Sequence, residues 1–372
     1  MAFKSSDGTC VRQSRDIVGV AVASGGAFAS FYCFYSGAPL IYATVHPPAG
    51  VLVGVLMAVV VVVQPLVLGV GRWTRNRARA VGAALLAIAS GLAVMPFGSP
   101  WPGLVILGLG FGVFVVTATA WAKELAAPDS VGWALGVYGF GSAIGGAVGA
   151  PVGLLLAARV GISGVFLGAT VFALLAVGPV LAVARNIAYK KPAPLVTRSS
   201  PTFPITDAVA AGAERPNATG VLVVLVSLAA HLLAVVLYAA VLSSASSLVT
   251  ETTAIAAVLA VFATQSTVAL GRLGGGALCD RLSPGGTAAG AAVLLVIAAA
   301  YFTITASSPA ERIGASAAVG AGAGMMQTAA LTLMMRRAHT PAQTDQASAA
   351  WNIAFDIGLG AGALLASLTA FA

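Results

Sequence analysis

The sequence predicts an all-α polytopic membrane protein whose two pseudo-symmetric helical halves, of six and five transmembrane helices, surround a central cavity. Of its 372 residues, 59% are apolar and 8% are charged, whereas ordinary soluble domains have about 45–50% and about 25%. The chain also contains repeated apolar stretches of the roughly 20 residues that an α-helix needs to cross a bilayer. This composition excludes a soluble enzyme, a secreted disulfide scaffold and a disordered chain.

Apolar stretches bounded by charges, proline or glycine are predicted to be membrane-spanning helices. They do not show the regular polar–apolar alternation of β-barrel strands. The six stretches before a polar gap are Ile17 to Val45, Ala49 to Val70, Ala80 to Met95, Gly103 to Ala122, Gly132 to Ala158 and Ile162 to Ala184. The five after it are Thr219 to Leu242, Thr253 to Leu270, Gly286 to Ile304, Ile313 to Met335 and Ala347 to Phe371.

The distribution of lysine and arginine predicts the orientation of these helices. If the N-terminus is cytoplasmic, 17 of the 19 basic residues, Arg272 among them, lie on the cytoplasmic side, and only Arg159 and Arg312 lie outside. Cytoplasmic loops of membrane proteins are enriched in basic residues. The pattern predicts a multi-pass protein of the plasma membrane, here the inner membrane of a bacterium, with Ala372 outside. The net charge of +8 is a topology signal and does not indicate a nucleic-acid partner.

A polar, proline-rich segment divides the chain into two parts. It contains five prolines between positions 192 and 216 together with scattered charges, so it neither spans the membrane nor forms one continuous helix. We expect an N-terminal half of residues 1–185, a cytoplasmic linker of residues 186–218 and a C-terminal half of residues 219–372.

Two pairs of similar segments indicate that the halves form a parallel repeat. Glycine-containing polar loops follow the second and the eighth predicted helices, at residues 71–79 and 276–282. The fifth and eleventh helices both begin with a tryptophan, Trp133 and Trp351, and then become rich in glycine.

The segment from Gly276 to Arg281 reads G-A-L-C-D-R and matches the start of the loop signature G-x-L-x-D-R-x-G-R of the major facilitator superfamily. The chain resembles that family over nearly its whole length. The resemblance implies a gating role for the loop residues Gly276, Asp280 and Arg281. In the first-half copy of the loop, Arg75 stands where the signature has an acid. The family has twelve helices, and this chain is expected to lack the twelfth.

The fifth helix carries a second similarity. Gly136, Gly145 and Gly149 precede Pro151, a spacing that resembles the glycine–proline motif of the proton-coupled drug antiporters in the superfamily. Small residues at four-residue spacing let two helices approach closely, and a proline inside a helix removes a backbone hydrogen bond. The pattern favours efflux, and ordinary helix packing is the alternative.

Two ionisable side chains inside apolar segments are candidates for proton coupling. Asp356 is the acid that lies deep within a predicted helix, where a charge costs about 2.5–3.5 kcal/mol on insertion scales. His231 lies in the seventh helix, and histidine titrates near neutral pH. The alternatives are a hydrogen-bonded structural aspartate and a buried packing histidine.

Further polar and aromatic side chains within the helices are candidates for lining a substrate cavity. Tyrosine and amide groups can orient a ligand inside an otherwise apolar pocket. The candidates are Tyr32, Tyr35, Tyr238, Gln265, Gln327 and Asn352. For the tyrosines, the alternative is an aromatic belt at the membrane surface.

These observations predict a secondary active transporter, not an enzyme, that moves a small amphipathic molecule by alternating access, with proton-coupled efflux as the first hypothesis. Import or facilitated diffusion of a small metabolite, such as an organic acid or a sugar, is the alternative, and a membrane receptor or enzyme is the third. The sequence contains no phosphate-binding loop, zinc-ligand cluster or nucleophile motif, so no cofactor or metal is expected. The expected partners are the substrate, protons and the lipid bilayer, and the protein is expected to be a monomer.

Overall fold

The computed structural model describes residues 7–42, 49–69, 76–189, 218–247, 254–305 and 308–370, and all regular structure in these ranges is helical. The long helices are α1 Asp7–Tyr42, α2 Ala49–Gly69, α3 Arg77–Val94, α4 Pro100–Leu125, α5 Val131–Arg159, α6 Ile162–Tyr189, α7 Ala218–Ser247, α8 Ala254–Arg281, α9 Pro284–Ala300, α10 Pro309–Arg337 and α11 Pro341–Ala370. A 3₁₀ turn, Met95–Phe97, follows α3, and a π turn, Tyr301–Thr305, follows α9.

The predicted class of an all-α membrane protein is confirmed. Within the described residues, eight helices are long and apolar enough to cross a bilayer. The division of the crossings into six and five stays a prediction. Residue Arg75 and most of the predicted linker, residues 190–217, lie outside the described residues.

Local side-chain chemistry sets several helix starts. Asn76 precedes α3 and accepts a hydrogen bond from the backbone N–H of Arg79 at 3.2 Å. Ser283 does the same for Gly286 at the start of α9, at 3.0 Å. At α10, Ser308 and Glu311 form a reciprocal capping box. Each cap satisfies backbone N–H groups that have no partner within the helix.

The helices pack in the order that a parallel repeat requires. In the first half α1 packs on α5, α2 on α4, and α3 on α4; in the second half the corresponding pairs are α7 on α11, α8 on α10, and α9 on α10. Across the halves, α5 packs on α8 and α2 packs on α11. These two cross-half pairs are themselves related by the repeat, because each joins the second helix of one half to the fifth helix of the other.

Small residues hold α1 close to α5. Positions 21, 25, 29 and 33 of α1 face glycines 141, 145, 149 and 153 of α5, so both stripes have four-residue spacing. A Cβ atom at Gly145 or Gly149 would collide with the backbone of Gly25 or Ala29. Gly136 packs instead on Gly276 of α8, and Pro151 lies inside the α5 helix. The glycines of the predicted motif therefore lie in helix–helix contacts, as small residues in membrane helices commonly do.

The end of the eighth helix was predicted wrongly. The sequence places the end of the apolar segment at Leu270 and Arg272 in the cytoplasmic loop, whereas α8 continues to Arg281. Arg272 is 7% exposed and lies nine residues, about 13 Å, before the end of the helix. The glycine-rich run after Arg272 resembles a loop in sequence, but in the structure it is the surface on which α5 and α10 pack.

Candidate functional site

The loops after α4, α8 and α10 meet at one end of the bundle, which we call the basic end because Lys123, Arg281, Arg336 and Arg337 lie there. This is the end predicted to be cytoplasmic. Three sets of polar contacts join the two halves near it.

The first set is centred on Asp280, at the C-terminus of α8. Its carboxylate accepts hydrogen bonds from the backbone N–H groups of Gly132, at 2.9 Å, and Trp133, at 2.6 Å, in the first turn of α5. It also pairs with Arg336 of α10 at 2.7 Å. A carboxylate is stabilised at a helix N-terminus by the free N–H groups and by the helix dipole. Arg281 is exposed and makes none of these contacts.

The second set is an ion-pair cluster around Arg77, at the start of α3. Its guanidinium lies 2.6 Å from Glu124 of α4 and 2.7 Å from Asp345 of α11. The Arg77 side chain is 5% exposed, whereas that of Glu124 is 34% exposed. The Asp345 pair is the one that links the first half to the second.

The third set joins the ends of α4 and α11. Lys123 donates to the carbonyl of Ala338 at 2.9 Å and to the hydroxyl of Thr344 at 3.3 Å. One turn further into the bundle, the Ser348 hydroxyl donates to the carbonyl of Val116 at 2.8 Å. Together the three sets close the basic end between the halves.

A cavity lies between the halves, further into the bundle than the basic end. Its polar lining comes from Tyr138, Ser142, Arg272, Thr328 and Asn352. Its aromatic lining comes from Phe28, Trp351 and Phe355. Helices of both halves contribute to the wall, and the volume of the cavity is about 20 Å³, room for about one water molecule. A small-molecule substrate therefore requires the halves to move apart at this point.

Arg272 is the charged residue that lines this cavity. Its Nη1 donates to the carbonyl of Gly139 at 3.1 Å and to the Ser142 hydroxyl at 2.6 Å. Its Nε donates to Oε1 of Gln327 at 2.7 Å, and its Nη2 donates to the same oxygen. The guanidinium also lies 5.7 Å from the centre of the Phe355 ring, within the range of a cation–π contact. Arg272 therefore bridges α5 of one half to α8 and α10 of the other.

Asp356 is on α11, next in sequence to the cavity-lining Phe355. One carboxylate oxygen accepts a hydrogen bond from the side-chain amide of Gln64 on α2, at 2.7 Å. Gln64 is fully buried, and no lysine, arginine or histidine of the described residues lies within 4.0 Å of Asp356. The aspartate thus has a neutral partner supplied by the other half.

His231 is fully buried on α7 and stacks on the indole of Trp351, with 4.6 Å between ring centres and 14° between planes. Phe355 continues the stack. Neither ring nitrogen of His231 has a hydrogen-bond partner among the described residues. The structure does not bring His231 into hydrogen-bond contact with Asp356.

The remaining predicted cavity residues divide into three groups. Tyr32 and Tyr35 belong to an aromatic cluster with Phe31, and Tyr238 donates a hydrogen bond to Gln265. None of these predicted residues is among those lining the cavity described above. Asn352 lines the cavity and donates to the backbone carbonyl of Ser348 at 2.8 Å, and Gln327 holds Arg272.

The sequence reasoning missed Arg272, Gln64 and Ser142 as site residues. Arg272 had a usable signal, because the residues after it are apolar or glycine until Asp280. Gln64 and Ser142 had no comparable signal, since a lone Gln or Ser in a membrane helix is common in packing positions. Among the described residues, no cluster of three His, Cys, Asp or Glu side chains is placed to hold a metal ion.

A helical bundle with a polar cavity between two repeated halves, closed at one end, is the arrangement of a membrane transporter. The family model of the major facilitator superfamily matches residues 20–363. The chain belongs to this superfamily, and it is a transporter and not an enzyme.

Solved transporter structures share the fold. The fucose:proton symporter of E. coli is 13% identical, with a TM-score of 0.65 over 98% of this chain and 92% of that one. The human organic anion transporter TETRAN is 18% identical, with a TM-score of 0.67 over 97% and 94%. A bacterial homologue of the iron transporter ferroportin is 15% identical, with a TM-score of 0.63 over 97% and 94%. No curated protein sequence matches the chain significantly.

Proposed function

We propose that this protein is a secondary active transporter that moves a small amphipathic molecule by alternating access, and that it couples efflux to protons. The observation that carries the proposal is the cavity between the halves, lined by both of them and separated from the basic end by polar cross-half contacts. We further propose that it acts as a monomer in the inner membrane of a bacterium, with the linker and the basic end in the cytoplasm.

Alternating access requires that the basic end open and close. The contacts of Asp280, Arg77 and Lys123 are hydrogen bonds and ion pairs between side chains and helix ends. The Asp280–Arg336 pair is partly exposed and contributes only about 0.2–1 kcal/mol. The Arg77–Asp345 pair is buried, so its separation requires that water reach both groups as the end opens. In this proposal these contacts hold the outward-facing state, and their separation opens the cavity to the cytoplasm.

Proton coupling is assigned to Asp356. A coupling carboxylate must alternate between protonated and ionised forms during the cycle. The Gln64 amide can donate to the ionised form or accept from the protonated form. In the part of the chain that the structure describes, no cation within 4.0 Å holds Asp356 in its ionised form. Because Gln64 and Asp356 belong to different halves, proton binding would act on a contact that changes when the halves move.

Efflux is favoured by the resemblance of Gly136, Gly145, Gly149 and Pro151 to the antiporter motif. Import or facilitated diffusion of a small metabolite through the same cavity remains the second candidate. The direction of the proton movement that accompanies substrate movement distinguishes the two.

The test uses purified protein in liposomes that contain a pH-sensitive dye, to which small amphipathic compounds are added. We expect a transported compound to move protons in the opposite direction. Asp356→Asn cannot change its protonation state, so it should lose substrate-driven proton movement and accumulation driven by a pH gradient, yet keep exchange of labelled substrate.

The matched control is Asp129→Asn, the same change at an exposed acid in the α4–α5 loop, which should behave as the wild type. If Asp356→Asn retains full pH-driven accumulation, Asp356 is not the proton carrier, and coupling through His231 or an uncoupled mechanism replaces this proposal.

A further inference from the structure

Arg272 is a buried cation for which the described structure holds no counter-ion. The residue is 7% exposed, and no carboxylate of the described residues lies within 4.0 Å of it. Its four hydrogen bonds all go to neutral oxygens of Gly139, Ser142 and Gln327. Buried charges in proteins are normally paired, so the missing negative charge is the feature that needs an explanation.

The guanidinium retains capacity for a ligand. Arginine has five N–H donors, and the four bonds above leave one N–H of Nη2 without a partner among the residues that the structure describes. The amide nitrogen of Gln327 also has no partner within the described ranges, and it belongs to the same amide as the oxygen that accepts from Arg272. A free N–H on a fixed cation suits an oxygen of a carboxylate or sulfonate.

The side chains around Arg272 indicate what the rest of the ligand, beyond its anionic group, should be. Phe28, Trp351 and Phe355 form the aromatic part of the cavity wall, and Phe355 lies beneath the guanidinium itself. The Trp351 ring is held in place by its indole N–H, which donates to the backbone carbonyl of Gln327 at 3.0 Å. An apolar or aromatic body next to the anionic group would be buried against these rings.

We propose that the cavity binds a small organic monoanion, a carboxylate or sulfonate with an apolar or aromatic body, and that Arg272 is its charge partner. This inference rests on the proposed function, in that the anion is the transported molecule. Because Ser142 and Gln327 hold the guanidinium from opposite halves, the anion binds where the two halves meet.

The experiment is calorimetric titration of detergent-solubilised protein with matched compounds. The anions are benzoate, benzenesulfonate and hexanoate, and the neutral partners are benzamide, benzenesulfonamide and hexanamide. Inorganic chloride is the probe for a ligand without an apolar body. We expect at least one organic anion to bind at least about tenfold more tightly than its amide and than chloride, the size of a charge-assisted hydrogen bond.

Three variants test the role of Arg272. Arg272→Gln should weaken binding of that anion by about 10- to 100-fold, and Arg272→Lys should retain part of the affinity because it retains the charge. Gln327→Glu supplies an internal carboxylate to Arg272 with almost no change of shape, so it should abolish anion binding without lowering the unfolding temperature. The matched control is Arg159→Gln, which removes an exposed arginine at the other end of α5 and should bind like the wild type.

Three results would overturn the inference: amides or chloride that bind as tightly as the organic anions, no binding of any anion, or unchanged affinity in both Arg272→Gln and Gln327→Glu. If Arg272→Gln does not fold, Gln327→Glu and Arg272→Lys still test whether Arg272 binds the anion. The titrations need neither a membrane nor a gradient, so they are independent of the liposome test of proton coupling. Anion binding without proton movement would refute the coupling and leave this inference standing.

Discussion

Replacing Asp280 by asparagine should weaken closure of the basic end without changing the substrate cavity. Asparagine keeps one oxygen that can accept from the N–H of Gly132 or Trp133, but it removes the negative charge that pairs with Arg336 and faces the start of α5. If these contacts separate when the basic end opens, loss of the charge destabilises the closed state and leaves the open state unaffected.

The size of the effect follows from the exposure of the contacts. The Arg336 side chain is 33% exposed, so its ion pair contributes about 0.2–1 kcal/mol. The charge at the N-terminus of α5 contributes about 0.3–1 kcal/mol more. A total of about 0.5–2 kcal/mol corresponds to a shift of about 2- to 30-fold in the equilibrium between closed and open forms, since about 1.4 kcal/mol is tenfold.

The assay measures how fast a cysteine in the cavity reacts from the basic side. Thr328 lines the cavity and is 3% exposed, so Thr328→Cys is introduced after the three native cysteines are replaced by alanine. In inside-out vesicles, a membrane-impermeant maleimide should label this cysteine about 2- to 30-fold faster when Asp280→Asn is present.

Arg281→Gln is the matched control for this assay. It neutralises the next residue of the same loop, which makes none of the Asp280 contacts, and it should leave the labelling rate unchanged. An equal rate in Asp280→Asn and the parent would refute the role of Asp280 in closing the basic end. A rate that rises as much in Arg281→Gln would show that loop charge in general, and not the helix contact, controls access.

Two further predictions concern packing and topology. Gly145→Ala should destabilise the protein by about 1–3 kcal/mol and lower its unfolding temperature, because the new methyl group collides with the backbone of Gly25. The control Gly178→Ala should leave the unfolding temperature unchanged, because the added atom meets no neighbour within 4 Å. Equal effects of the two variants would contradict the close contact of α1 and α5. Single cysteines in the linker, residues 186–218, should react with an impermeant reagent in inside-out vesicles but not on intact cells, and labelling on intact cells would reverse the orientation.

The membrane class and the repeat could be read from the sequence because both depend on local patterns. The thickness of the hydrocarbon layer requires apolar runs of about 20 residues, and these are visible without knowledge of contacts. Asp280 could also be singled out from the sequence, because it lies in the contiguous G-x-L-x-D-R motif. Its partners, the first turn of α5 and Arg336, could not be named from that segment.

The chemistry of the cavity was decided by tertiary structure. Arg272 was assigned to the cytoplasmic side, although the residues after it are apolar or glycine until Asp280, and the packing of α5 and α10 on those glycines places it inside the bundle. Its partners Ser142 and Gln327 are 130 and 55 residues away in the chain, and Gln64 is 292 residues from Asp356. A charge in a membrane protein is tolerated only where other helices supply polar partners, and no local pattern in the sequence records which helices those are.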